Sequence, residues 1–358
     1  MNADKTQKLF PASVVGSMPR PQWVRDLLRP EVRPALGEEE FARRMDHAVA
    51  YVIAMQEAAG LDIVSDGEWR RLSYIGIIAD ICDGFERSYR GEQPWTVVTG
   101  EIRPRAPGLV AREALFVRDH TRSEPKVALP SPYLLGQRMW DAVASPGAYS
   151  TRQKFMRALV PVLRGELQAI RRAGLRRVQF DDPHLCLFVD QKIRRLFEDP
   201  EEEMDLAVDL LNEVLDGFDD LWTAIHLCRR NRGRQGWAGE GGYEPILAHL
   251  QRLRVKEYML EFAIPVAGDY AILKELPEAA RIGLGCVDCR SEKIDTPDEI
   301  VARVEKALQY VAPERLTLHP DCGFAPGSAA EIPIDEAYKK LCNEVKAAEM
   351  LRAKYARP

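Results

Sequence analysis

Short apolar runs alternate along this chain with longer segments whose apolar residues recur every three or four positions. Eight of the runs read as strands: SVVGS near 13, LDIVSDGE from 61, KVALPSP from 126, RRVQFDDP from 176, TAIHLCR from 223, EYMLEFA from 257, RIGLGCVD from 281 and RLTLHPDCG from 315. The segments between them, FARRMDHAVAYVIAMQEAAG, TRQKFMRALVPVLRGELQAIRRAG, EEEMDLAVDLLNEVLDGF and TPDEIVARVEKALQYV, have the period of amphipathic helices. In the last of these, Thr296 is a good N-cap, with Pro297 at the first helical position and Glu299 close behind.

Eight strand-helix units predict an α/β fold of the (β/α)8 TIM-barrel type, organised as a single catalytic domain over residues 1–358. Such barrels need about 250 residues and grow by insertion. Residues 84–123 read as a β-rich excursion inserted between the second and third strands. A doubly wound open sheet is the competing architecture, but the first strand is not followed by a glycine-rich phosphate fingerprint.

Polar residues gather where the apolar runs stop. Gly16-Ser17, Asp66-Gly67-Glu68, Ser131, Asp181-Asp182, His226-Cys228, Glu261, Asp288 and Asp321-Cys322 all fall at the C-terminal ends of the expected strands. In barrel enzymes that rim carries the chemistry, so these ends point to one site.

Composition narrows the class. With 46% hydrophobic and 29% charged residues the chain can bury a full core, and a net charge of -5 removes the usual electrostatic reason to expect nucleic acid. The N-terminal MNADKTQKLFPASVV has no continuous apolar h-region, and no run approaches the roughly 18 apolar residues of a membrane span. A soluble, cytoplasmic protein is expected, and the sequence leaves a homo-oligomer open. Seven cysteines, dispersed through a chain with no export signal, suggest reduced thiols or metal ligands rather than disulfides.

The candidate metal ligands are His226, Cys228, Glu261 and Cys322. His226 and Cys228 are two apart, so on an extended strand both point to one side. Zinc accepts imidazole, thiolate and carboxylate together, and a catalytic site keeps a position for substrate. Two thiolates and a carboxylate around a dication leave about one net negative charge, a poor Lewis acid for carbonyls but well suited to holding a substrate thiol as a nucleophilic thiolate. Plainer readings compete. A cysteine at a strand end is often a small buried hydrophobe, His319, His184 and Cys186 are rival ligands, Asp181 and Asp182 suit a turn before Pro183, and Glu68 suits a pair with Arg70 or Arg71.

VVGSMPRP, SDGEWRR, VQFDDP, the His-x-Cys of HLCRRN, the glutamate of LEF, GLGCVD and HPDCGF occur in the order found in the catalytic barrel of cobalamin-independent methionine synthase. From about residue 10 to 330 the chain resembles that family in its compact single-barrel branch. The resemblance implies Zn2+ on His226, Cys228, Glu261 and Cys322. It implies also a thiol substrate such as homocysteine oriented by Gly16, Ser17, Glu68 and Asp181 or Asp182, and a small-molecule methyl or alkyl donor. Carboxylates there would pair with a substrate ammonium. The chain departs from the family after Asp288, where Arg290 stands in place of a histidine proposed to protonate the departing folate. Arginine stays protonated and is a poor proton donor, though it could bind an anion or stabilise a developing alkoxide. HLCRRN followed by GGYEPI also resembles the epoxyalkane:coenzyme M transferases, for which Arg20, Arg70, Arg71, Arg229, Arg230 and Arg290 would supply sulfonate and alkoxide contacts. The expected activity is therefore methyl transfer to a thiol; the alternatives are alkylation of a thiol by an epoxide, and a barrel that binds zinc or a thiol without catalysis.

Overall fold

A computed structural model of the chain describes residues 8–90, 93–325 and 332–356. Numbered along the chain, the strands are β1 (Ile63–Val64), β2 (Cys82–Arg90), β3 (Gln93–Pro104), β4 (Glu124–Pro130), β5 (Arg177–Asp181), β6 (Trp222–Leu227), β7 (Glu257–Glu261), β8 (Arg281–Val287) and β9 (Leu316–Pro320). Seven of them form one parallel sheet in the order β1-β4-β5-β6-β7-β8-β9. Because every connection carries the chain back to the same end of the sheet, all seven strands run the same way and their C-terminal ends share one rim.

The run expected as the first strand contributes single bridges rather than a strand in this sheet. Ala12 pairs with Leu318 of β9, and Ser13 pairs with Ile63 of β1, both in parallel sense. The Ser13 amide donates to the Leu318 carbonyl at 2.9 Å, and the Ile63 amide donates to the Ala12 carbonyl at 3.1 Å. Pairing is short because the chain turns at Gly16-Ser17, where the Met18 amide bonds the Gly67 carbonyl at 3.0 Å.

β2 and β3 form a separate antiparallel pair between β1 and β4 in the chain. The range expected to be β-rich does not stay so: Leu109–Asp119 is an α-helix. Its buried Val110, Ala114 and Val117 are spaced by four and three, a helical period that outweighs the β-branched residues in the segment.

The helices that cover the outside follow the amphipathic pattern. Arg152–Arg172 buries Phe155, Met156, Leu159, Leu163, Leu167 and Ile170, one stripe at three- and four-residue spacing. Pro297–Ala307 opens with a capping box: the Glu299 amide donates to the Thr296 hydroxyl at 3.3 Å, and the Thr296 amide donates to the Glu299 carboxylate at 2.8 Å.

Within the sheet the period of two sorts residues onto two faces. Phe180, Ile225, Leu260 and Leu284 enter the main apolar core, whereas Val15, Ala224 and Met259 form a smaller cluster of their own. On the latter face polar groups stack in levels. Glu257 accepts from Arg177 at 3.0 Å and from Trp222 at 2.8 Å. Farther along the strands Lys126 donates to Gln179 at 2.9 Å, and Gln179 donates to Asp181 at 2.6 Å. The last level, at the C-terminal rim, holds Asp181, His226, Glu261 and Asp321.

Candidate metal centre

His226, the last residue but one of β6, faces the rim, and Cys228 follows two residues on. Cys322 arrives from the loop after β9. The ligand atoms of these three residues lie within 4.8 Å of one another, and all three side chains are buried. Neither nitrogen of the His226 ring has a hydrogen-bond partner. A buried imidazole lacking partners is costly, so a ring facing two sulfurs in this way suits a thiophilic cation. A hydrogen bond from Cys322, helped by His226 and opposed by burial, holds Cys228 well below the usual thiol range. The same bond and burial push Cys322 well above it. Burial would lower His226, but the charge on Cys228 beside it raises it.

Glu261, grouped with these three by the sequence, is engaged elsewhere. One carboxylate oxygen accepts from the Arg229 amide at 2.8 Å and from its guanidinium at 3.2 Å. The other accepts from Arg290. Tyr243 braces the arrangement: its hydroxyl accepts from the Glu261 amide at 2.8 Å and from Arg229 at 3.0 Å. Asp321 completes the group, accepting from the Phe262 and Ala263 amides at 3.0 and 2.9 Å, with its second oxygen 3.7 Å from Arg290. Gly285 leaves room for it, since a Cβ there would lie 2.5 Å from an Asp321 oxygen.

The expected substrate residues converge from the other side of the rim. Glu68 is buried with φ of 59°, in the left-handed region rarely adopted by non-glycine residues. Arg20 fixes this turn by donating to the carbonyls of Glu68 at 2.6 Å and Arg71 at 2.7 Å. Gly16 packs against the Glu68 carboxylate so closely that a Cβ would lie 2.6 Å from its oxygen. Ser17 is buried against Gly323, the residue after Cys322. Burial raises Glu68 to about 7.

Asp181 and Asp182 separate into two roles. Asp182 caps the short helix that follows, accepting from the Leu185 amide at 2.9 Å, and accepts from Ser131 at 2.6 Å. Asp181 faces His226 and Cys228; burial raises its carboxyl, and His226 and Gln179 oppose that rise. Asp288 lies just past β8, where it accepts from the Arg290 amide at 2.8 Å.

The arginines are mostly committed. Arg70 pairs with Asp46 at 2.7 Å and Arg71 with Glu113 at 2.8 Å, so neither binds Glu68 directly. Arg229 and Arg290 hold Glu261. The rival ligands fall outside the cluster, although the His319 ring lies 6.4 Å from that of His226. Sequence reasoning missed Tyr243, Gln179 and Lys126; a lysine opening an otherwise apolar strand was the one signal available. Two surface depressions of about 420 and 550 Å³ lie away from the rim, one beside Tyr51 and Tyr338 and one around Lys8, Arg177 and Lys256.

Fold and site together define a parallel α/β protein that gathers an imidazole, two thiols and several carboxylates at the C-terminal ends of its strands. Residues 10–350 match the catalytic domain of the cobalamin-independent synthase, and the chain belongs to that family. It is 29% identical to a methionine synthase of Pyrococcus abyssi over 355 residues, covering 96% of this chain and 93% of that one. A methionine synthase of Thermococcus kodakarensis is 26% identical, with 98% and 95% covered. Among solved structures, the B12-independent methionine synthase from Shewanella sp. W3-18-1 in complex with selenomethionine superposes with a TM-score of 0.81 at 24% identity, over 97% of this chain and 98% of that one. A methyltransferase from Methanosarcina mazei gives 0.60 at 16% identity, over 97% and 95%. Among the described residues no helix is long and apolar enough to cross a membrane.

Proposed function

We propose that this chain is a cytoplasmic zinc-dependent transferase that moves a methyl group onto the sulfur of homocysteine or a similar thiol. The observation that carries the reading is the meeting of the partnerless His226 ring with Cys228 and Cys322 at one rim, in a chain of this family. We read the architecture as one (β/α)8 barrel domain over residues 1–358, closed by the Ala12-Ser13 bridges, with β2 and β3 as part of an insertion.

His226, Cys228 and Cys322 would hold the zinc. A zinc ion so bound would stabilise an incoming thiol as its thiolate while leaving the sulfur nucleophilic. Glu68 and Asp181 would receive the substrate ammonium, with Gly16 and Ser17 shaping the pocket wall. Glu68 is well prepared for this role: its carboxylate makes no hydrogen bond with another described residue, and an arriving cation would favour its ionised form. Asp288 positions the Arg290 backbone. Burial at the rim excludes water around the reacting sulfur.

Five of the six arginines weighed for an epoxide:thiol transferase, Arg20, Arg70, Arg71, Arg229 and Arg290, are committed to protein partners, which leaves Arg230 beside Cys228 for its anions and so favours methyl transfer. Zinc K-edge absorption of the purified chain, alone and then with homocysteine or coenzyme M, tests the reading. An added sulfur neighbour with homocysteine supports it. An added sulfur with coenzyme M alone favours the epoxide reaction, and zinc unchanged by either thiol leaves a non-catalytic barrel.

A further inference from the structure

We infer that Lys126 and Gln179 are positioning residues for the amino group of the thiol substrate: together they fix how Asp181 presents its carboxylate at the rim. The inference rests on the substrate site proposed above and adds to it two buried groups that lie deeper between the strands.

β4 and β5 run side by side, with Ala128 opposite Gln179 and Pro130 opposite Asp181. The period of two puts Gln179 and Asp181 on one face of β5, and Gln179 donates to Asp181 Oδ1 at 2.6 Å. Lys126 holds the other end of that amide, donating to Gln179 Oε1 at 2.9 Å. An ammonium only donates and a carboxylate only accepts, so an amide caught between them has a single orientation. Its NH2 must face Asp181. Lys126 is 4% exposed and Gln179 0%, and in such surroundings a bond left unmade at either end of the amide is costly. The chain of contacts is therefore held in one arrangement.

Lys126 also ties down the opposite side of the pocket. Its ammonium donates to the Val14 carbonyl, two residues before Gly16, and Gly16 packs against the Glu68 carboxylate. The Gly16 carbonyl in turn accepts from Ser65 at 3.1 Å. One buried cation thus sets the spacing between the Glu68 side and the Asp181 side, and the substrate ammonium would lie between them. The Ser131 amide bonds the Asp181 carbonyl at 3.1 Å, which fixes the backbone and leaves only the carboxylate to be oriented. With Oδ1 taken by Gln179, Oδ2 is the oxygen left for the incoming amine.

The test titrates the zinc-loaded full chain with homocysteine and with 4-mercaptobutyrate, which is homocysteine without its amino group. Lys126→Met keeps the bulk of the side chain and removes its donors. Homocysteine should then bind about tenfold more weakly, and 4-mercaptobutyrate less than about twofold. Gln179→Met should show the same selective loss, and the two changes together should cost no more than about either alone, as links of one chain do. The double variant leaves neither residue facing a missing partner, so it still reads the selective loss if a single variant unfolds. Lys126→Arg, again a donor only, should keep homocysteine within about threefold of the unaltered chain. Equal weakening of the two thiols, additive losses in the double variant, an unchanged preference in Lys126→Met, or an arginine variant as weak as the methionine one would overturn the inference. Each of these outcomes leaves the substrate site standing. If the unaltered chain itself binds both thiols alike, the amino-group reading fails first and the positioning role with it.

Discussion

Replacing Glu68 by glutamine keeps the shape of the side chain and removes only its charge, so it isolates the proposed contact with the substrate ammonium. A buried, charge-assisted hydrogen bond is worth about 1.5–3 kcal/mol, which predicts a loss of about 10- to 150-fold in homocysteine affinity. A thiol without the amino group should lose almost nothing. The same residue makes a stability prediction of opposite sign. Burial raises its carboxyl from an ordinary 4.5 to about 7, which corresponds to about 3 kcal/mol of cost when the group is ionised. Between these values the folded chain binds more protons than the unfolded one, so this cost is absent below pH 4.5, grows as pH rises, and is complete above about 7. Glu68→Gln should therefore be more stable than the wild type at pH 8 and nearly equal to it at pH 4.5. Isothermal titration with homocysteine and with a deaminated thiol, together with urea unfolding at both pH values, measures both effects. Equal losses for the two thiols, or a variant less stable at pH 8, would falsify the assignment.

Other outcomes follow from neighbouring contacts. Gly16→Ala should weaken homocysteine binding by about tenfold with little change in zinc content, because its Cβ would press to 2.6 Å from the Glu68 oxygen; titration and metal analysis check this. Asp182→Ala removes a helix cap and the Ser131 bond, and should lower stability by about 1–3 kcal/mol in denaturant melts. Burial lowers Lys126 to about 8. The unfolded chain therefore binds the extra proton between about 8 and 10.5, so this residue makes stability rise with pH across that window. Lys126→Met should flatten the rise and weaken homocysteine binding through Gln179 and Asp181, as unfolding at pH 8 and 10 and titration with the thiol would show.

Much of the fold was legible because the strands behind the site are almost wholly apolar on their outer face and end in charged or thiol residues. The pairing of His226 with Cys228 needed only the two-residue period. Its convergence with Cys322 needed a parallel sheet, which the strand-helix alternation supplied. Asp-Pro at 182–183 carried a local capping signal, yet only coordinates could assign the cap to Asp182 and the site-facing role to Asp181. The state of Glu261 was not legible. Its partners come from two strand connections, Arg229 and Tyr243 from the one between β6 and β7 and Arg290 from the one after β8, and sequence spacing says nothing about which of two attractive neighbours wins a buried carboxylate. The helix Leu109–Asp119 was missed for a different reason: a short window rich in valine and phenylalanine carries both periods, and packing chose between them.

Two left-handed residues flank this site, Glu68 and Arg230, both with φ of 59°. Each stores about 1–2 kcal/mol of backbone strain that glycine or asparagine would relieve. A selection that rewarded heat resistance alone would therefore find its easiest gains at these two positions, and would erase the substrate carboxylate at one of them. Chains of this family enriched by stability screening should be checked there first, because greater robustness at these residues signals loss of the pocket.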